Sequence, residues 1–144
     1  MSERVRRGAA RSRLRWGLIV LAATAGCKGR EPAPGPTYEV RGKVVLDDGR
    51  PLGAGRVVFV PKDRVGPEAS GEIGPGGAFA LTTHADADGA EAGSYKVRIE
   101  PGPSAASRGV AQAPYQPKYL DEDSSGLVVE VRAEPNTLDP IRLK

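Results

Sequence analysis

The sequence predicts an all-β fold, an antiparallel β-sandwich of about seven short strands, and three observations predict it. Apolar residues recur at every second position from Tyr38 onward, the period of a strand with one buried face. The 144 residues include 19 glycines and 13 prolines, which favour turns between short strands over long helices. No stretch of the same region repeats apolar residues at the spacing of an amphipathic helix.

Residues 1–26 read as a leader rather than as structure. Six arginines (Arg4, Arg6, Arg7, Arg11, Arg13 and Arg15) stand against the single acid Glu3, and the apolar run WGLIVLAATA occupies residues 16–25. As a helix those residues would rise roughly 15 Å, about half of a bilayer's hydrocarbon core. The run is therefore too short for a permanent span. Ala25-Gly26-Cys27 closes the leader, and Cys27 is the only cysteine of the chain. This arrangement closely resembles a bacterial lipoprotein signal. The resemblance implies cleavage before Cys27, lipidation of its thiol and a membrane partner reached through that anchor. It also implies a place in the bacterial cell envelope. Lys28 is not the aspartate that signals inner-membrane retention in some double-membrane bacteria, which leaves the outer membrane open. With one cysteine there is no disulfide framework and no thiolate cluster.

Residues 27–37 are the lipidated cysteine and a linker, in which Pro32, Pro34 and Pro36 favour extended backbone. The domain proper is expected at residues 38–144. Tyr38 to Leu46 alternates, with Arg41 and Lys43 on the outer face, and Asp47-Asp48-Gly49-Arg50-Pro51 turns the chain. In the second strand, residues 56–61, both faces are apolar, as for burial on both sides or at a dimer edge. Residues 70–73 and 78–82 flank Gly74-Pro75-Gly76-Gly77, a hairpin with Phe79 and Leu81 facing inward. Tyr95, Val97 and Ile99 alternate with Lys96, Arg98 and Glu100, and residues 127–132 and 138–143 complete the set. Residues 101–125 break the rhythm. That is long for a loop, so it is functional, mobile, or conceals an edge strand around residues 115–120.

The ordered motifs Gly42-x-Val44, Asp48-Gly49-x-Pro51-Leu52, Val57-x-Phe59-x-Pro61, Gly77-x-Phe79 and Gly93-x-Tyr95-x-Val97 resemble the carboxypeptidase regulatory-like domain, a transthyretin-like (prealbumin-type) sandwich. The chain is also similar to small bacterial lipoproteins that add a closing segment, here Pro117-Lys118-Tyr119 and Ser125-Gly126-Leu127. The resemblance implies a fold and an accessory role, and no catalytic residues.

Charge separates further classes of function. Residues 27–144 carry 15 Lys and Arg against 17 Asp and Glu, so the basicity of the chain belongs to its leader. No basic block remains to follow a phosphate backbone, and no nucleic-acid partner is expected. His84-Ala-Asp86-Ala-Asp88-Gly89 is similar to a calcium loop, but a histidine stands at the first ligand and Tyr95 at the twelfth. A solvated turn is the expectation, with no metal and no cofactor. One histidine and no nucleophile elbow leave no catalytic set, so the chain is read as no enzyme. Gly93-Ser94-Tyr95 resembles a tyrosine corner, in which the phenol bonds backbone. The candidate contact surface is Tyr115, Tyr119, Asp121, Glu122 and Asp123 in the long loop. The opposing reading tucks Tyr119 against the sandwich and leaves the acids solvated. The expected role is a lipid-anchored structural or protein-interaction module of the envelope. The alternative is a small-ligand or glycan-binding module. The partner is an unknown envelope protein or glycan.

Overall fold

The computed structural model describes residues 34–102 and 113–144. The leader, Cys27, most of the linker and the centre of the long loop lie outside the described residues. Ten strands occur in order: β1 Thr37–Tyr38, β2 Val40–Leu46, β3 Gly55–Pro61, β4 Ala69–Glu72, β5 Ala78–Ala80, β6 Ala90–Glu91, β7 Gly93–Pro101, β8 Val128–Val131, β9 Asn136–Thr137 and β10 Ile141–Leu143. Seven of them have three residues or more, and they form the two sheets of the expected sandwich.

The larger sheet has the order β4-β3-β7-β8, all antiparallel. In the other, β2 lies between β5 and β10, with the short β9 beside its first residues. The alternation that predicts these strands also fills the space between the sheets. Val40, Val44 and Leu46 of β2 face Val57 and Phe59 of β3 and Tyr95, Val97 and Ile99 of β7 in one core. Phe59 is central. Its ring lies 6.2 Å from Phe79 and 6.0 Å from Tyr95, both tilted as aromatic quadrupoles prefer. Gly42 explains the Gly-x-Val motif: a Cβ there would lie 2.6 Å from the Phe79 ring, its partner in register. The missing side chain is the room that Phe79 occupies.

β3 is buried on both faces, as its composition predicts. Val58 and Val60 lie outside the core cluster yet are buried, sharing the outer face with their cross-strand partners Arg98 and Lys96. Glycine and serine on β4 let the sheets join along one edge. Ser70 and Thr82 exchange two backbone hydrogen bonds of 2.9 and 2.8 Å there.

Three features differ from the sequence-based expectation. Residues 115–120 form no edge strand: Pro117–Leu120 is a 3-10 turn with its proline at the start, where no N–H is needed. The strand expected at residues 138–143 is shortened to β10, with Pro140, which cannot donate to a ladder, just before it, and a separate short strand, β9, precedes the expected span. These two strands also run parallel to β2 within an otherwise antiparallel sandwich. The cause is topological. β8 runs toward the end of the sandwich where β2 begins, so a chain crossing there must enter alongside the start of β2. Asn136 makes the crossing: its Oδ1 accepts from Arg132 N at 3.0 Å, its Nδ2 donates to Arg132 O at 3.0 Å, and its own N–H donates to Glu39 O at 2.7 Å.

Candidate functional site

The segment nominated as a contact surface starts with two tyrosines. Pro114 precedes Tyr115, Pro117 opens the 3-10 turn that carries Tyr119, and both tyrosines are buried. Tyr115 is 7% exposed and Tyr119 3%, with the rings edge-on at 6.4 Å. The Tyr119 hydroxyl accepts from Lys144 N at 3.1 Å, and Gln116 N donates to Lys144 O at 3.0 Å. The turn is thereby tied to the end of β10. The Tyr115 hydroxyl is buried with no hydrogen-bond partner among the described residues, and burial pushes its pKa up. These rings are core residues, so they present no recognition platform.

The acids after them fold back over the outer face of β7. Asp121 is structural: its Oδ1 accepts from Asp123 N at 3.1 Å and Ser124 N at 2.9 Å, the turn habit of aspartate. Asp123 meets Lys96 Nζ at 2.6 Å and Arg64 at 2.9 Å. The Lys96 hydrogen bond, with the nearby charges of Lys96 and Arg64, holds its carboxyl below the ordinary aspartate value. Glu122, with its side chain 16% exposed, lies 3.5 Å from Arg98, whose side chain is 21% exposed and also reaches Glu68 and Glu100. Burial works against the charge of Arg98, but Glu68 and Glu100 outweigh it and raise its pKa. Asp121, Glu122 and Asp123 therefore act as a strap on the sheet.

The basic half of this network, Arg64, Lys96 and Arg98, was missed by sequence reasoning. The signal was present: Lys96 and Arg98 are outward positions of one strand, and the Asp121–Asp123 run offers the opposite charge.

The histidine-aspartate loop is organised from within. The Asp88 carboxylate accepts from the N–H groups of Thr83 at 2.7 Å and of His84 and Ala85 at 3.0 Å. Burial raises its pKa, but the three donors outweigh it and the pKa is lowered. Among the described residues no three His, Cys, Asp or Glu side chains converge on a metal position. Gly89 is left-handed at φ 89°, and a Cβ there would collide with the Tyr38 carbonyl. The tyrosine corner forms as expected: the Tyr95 hydroxyl donates to Glu91 O at 2.9 Å, four residues upstream. Ser94 bonds Glu130, its cross-strand partner on β8.

Two of the open concavities on the described surface lie near these residues or the sheet edge. One, of about 410 Å³, lies between the turn after β3 and the β6–β7 corner, lined by Lys62, Asp63, Val65, Glu91 and Tyr95. The other, of about 500 Å³, runs between β8 and the segment leading into β10, along Val128, Leu138 and Ile141. No family model matches the chain, and neither a curated protein nor a solved structure matches it.

Proposed function

We propose that the protein is a lipid-anchored, non-catalytic module of the bacterial envelope, held by Cys27 and acting through structural or protein contacts. The observation that carries this reading is Ala25-Gly26-Cys27 after a basic and then apolar leader, with a proline linker leading into a folded domain. Lipidation suits that position, because acyl chains add about 0.8 kcal/mol per buried CH₂ and two or more anchor durably. Among the described residues no helix is long and apolar enough to cross a membrane.

The sandwich supports the resemblance to the carboxypeptidase regulatory-like domain. The polar side chains of the domain support an accessory role, since the acids of the long loop bind Arg64, Lys96 and Arg98 or backbone. The glycan alternative draws on the fold resemblance and on the tyrosine-bearing long loop. With Tyr115 and Tyr119 in the core, the second of these supports is gone.

Mass spectrometry of the protein from a bacterial membrane fraction tests the anchor. The expected N-terminus is Cys27 carrying a diacylglycerol thioether. Cys27→Ala should move the protein out of the membrane fraction, and an unmodified terminus or cleavage elsewhere would refute the reading.

A further inference from the structure

The turn after β3 is hydrogen-bonded within itself and displays an apolar side chain. Arg64 N donates to Pro61 O at 2.9 Å, and Asp63 Oδ1 accepts from Val65 N at 3.0 Å. Arg64 itself is left-handed at φ 57°, a region that costs a side-chain-bearing residue energy. The result is Val65 at 74% exposed, the more exposed of two large apolar residues on the described surface. Lys62 stands exposed in the same turn, with no carboxylate partner among the described residues.

A single exposed valine means little by itself. Its position gives it meaning. Gly35 N, on the chain arriving from the linker, donates to Glu91 Oε1 at 2.9 Å. The other oxygen of Glu91 lies 3.5 Å from where a Cβ on Gly66 would sit, one residue after Val65. The incoming chain and the displayed turn thus meet at one carboxylate. Seven residue steps separate Cys27 from Pro34, a reach of at most about 25 Å even fully extended. Tethering that short raises the effective concentration of the membrane at this end of the domain.

We infer that this end of the sandwich faces the bilayer, with Val65 entering the boundary between headgroups and acyl chains and Lys62 reaching the phosphates. The surface it fits is a zwitterionic phospholipid. Asp63 and Glu91 border the same concavity as Lys62, which leaves no net positive charge there to select an anionic lipid, so apolar contact decides. The inference rests on the anchoring of Cys27.

The mature chain is a background free of tryptophan, because Trp16, the only one, lies in the leader, so an introduced tryptophan is the sole reporter. Lipidated Val65→Trp and Asp47→Trp proteins are reconstituted into phosphatidylcholine vesicles with brominated acyl chains. Asp47 is exposed just past the far end of β2, whose seven residues carry the chain roughly 20 Å away from its start. Both variants carry the interfacial preference of tryptophan, so only position distinguishes them. Val65→Trp is expected to lose about half of its emission or more, and Asp47→Trp almost none. Flotation with the vesicles but equal quenching, or no quenching of Val65→Trp, overturns the inference and leaves the anchor standing. Failure of either variant to float overturns the anchor and the inference with it.

Discussion

Tyr115 and Tyr119 lie four residues apart and are buried alike, yet their hydroxyls are in opposite circumstances. Tyr119 accepts a hydrogen bond from Lys144, and Tyr115 has no partner among the described residues. A buried hydroxyl without a bond costs about 1–3 kcal/mol, while a typical bond contributes about 1 kcal/mol. Tyr115→Phe should therefore leave the unfolding free energy unchanged or raise it, whereas Tyr119→Phe should lower it by about 1 kcal/mol in urea titrations. Tyr95→Phe should resemble Tyr119→Phe, since its phenol bonds Glu91. Gly89→Ala is a harsher change. It adds a collision with Tyr38 to an unfavourable φ, and a loss of more than about 2 kcal/mol is expected in the same titration.

Two connections do more than join strands. Residues 121–125 strap the outer face of β7 through carboxylates, and the loop at residues 82–89 is wound around Asp88. Both Asp123 and Asp88 have lowered pKa values in the folded chain. The folded state thus binds fewer protons than the unfolded chain around the ordinary aspartate value of 3.8. Their stabilisation is complete above that value and is lost as pH falls through the lower folded values. Thermal melts between neutral pH and pH 2 should show it, with the Asp88→Asn, Asp123→Asn double variant losing part of the acid dependence. The crossover at Asn136 is a further connection of this kind. Asn136→Ala removes its side-chain bonds to Arg132 at once, and a loss of about 1–2 kcal/mol is expected by urea titration.

At the scale of the molecule, the two sheets are closed differently at their edges. Backbone bonds between Ser70 and Thr82 join one edge, while the tyrosine turn, tied to Lys144, lies by β7 and β10 on the other side. Among the described residues β9 and β10 are the only partners of β2 on one side, and Ile141 and Leu143 belong to the core. Deleting residues 136–144 should abolish cooperative unfolding of the whole domain, seen as loss of the thermal transition in circular dichroism. Charge also divides the sequence at Cys27: the arginine cluster precedes it, and residues 27–144 are slightly acidic.

The residue order by itself determined the all-β class and nearly every strand of the core. These come from local rules: a period of two buries one face, and Gly-Pro-Gly-Gly or Asp-Gly can only turn. Val57, Phe59, Val97 and Ile99 are legible because neighbours in sequence alternate between faces. Local rules also suffice for Tyr95, whose partner is four residues away. Only the tertiary structure decided that Tyr115 and Tyr119 turn inward and that Asp123 meets Arg64 and Lys96. It alone also made β9 and β10 run parallel to β2. Each of these depends on residues tens of positions apart, and a loop without a period carries no local sign of which face it will cover. A tyrosine, apolar in its ring and polar at its tip, suits either surface or core, and the long-range packing of the sandwich chose between them.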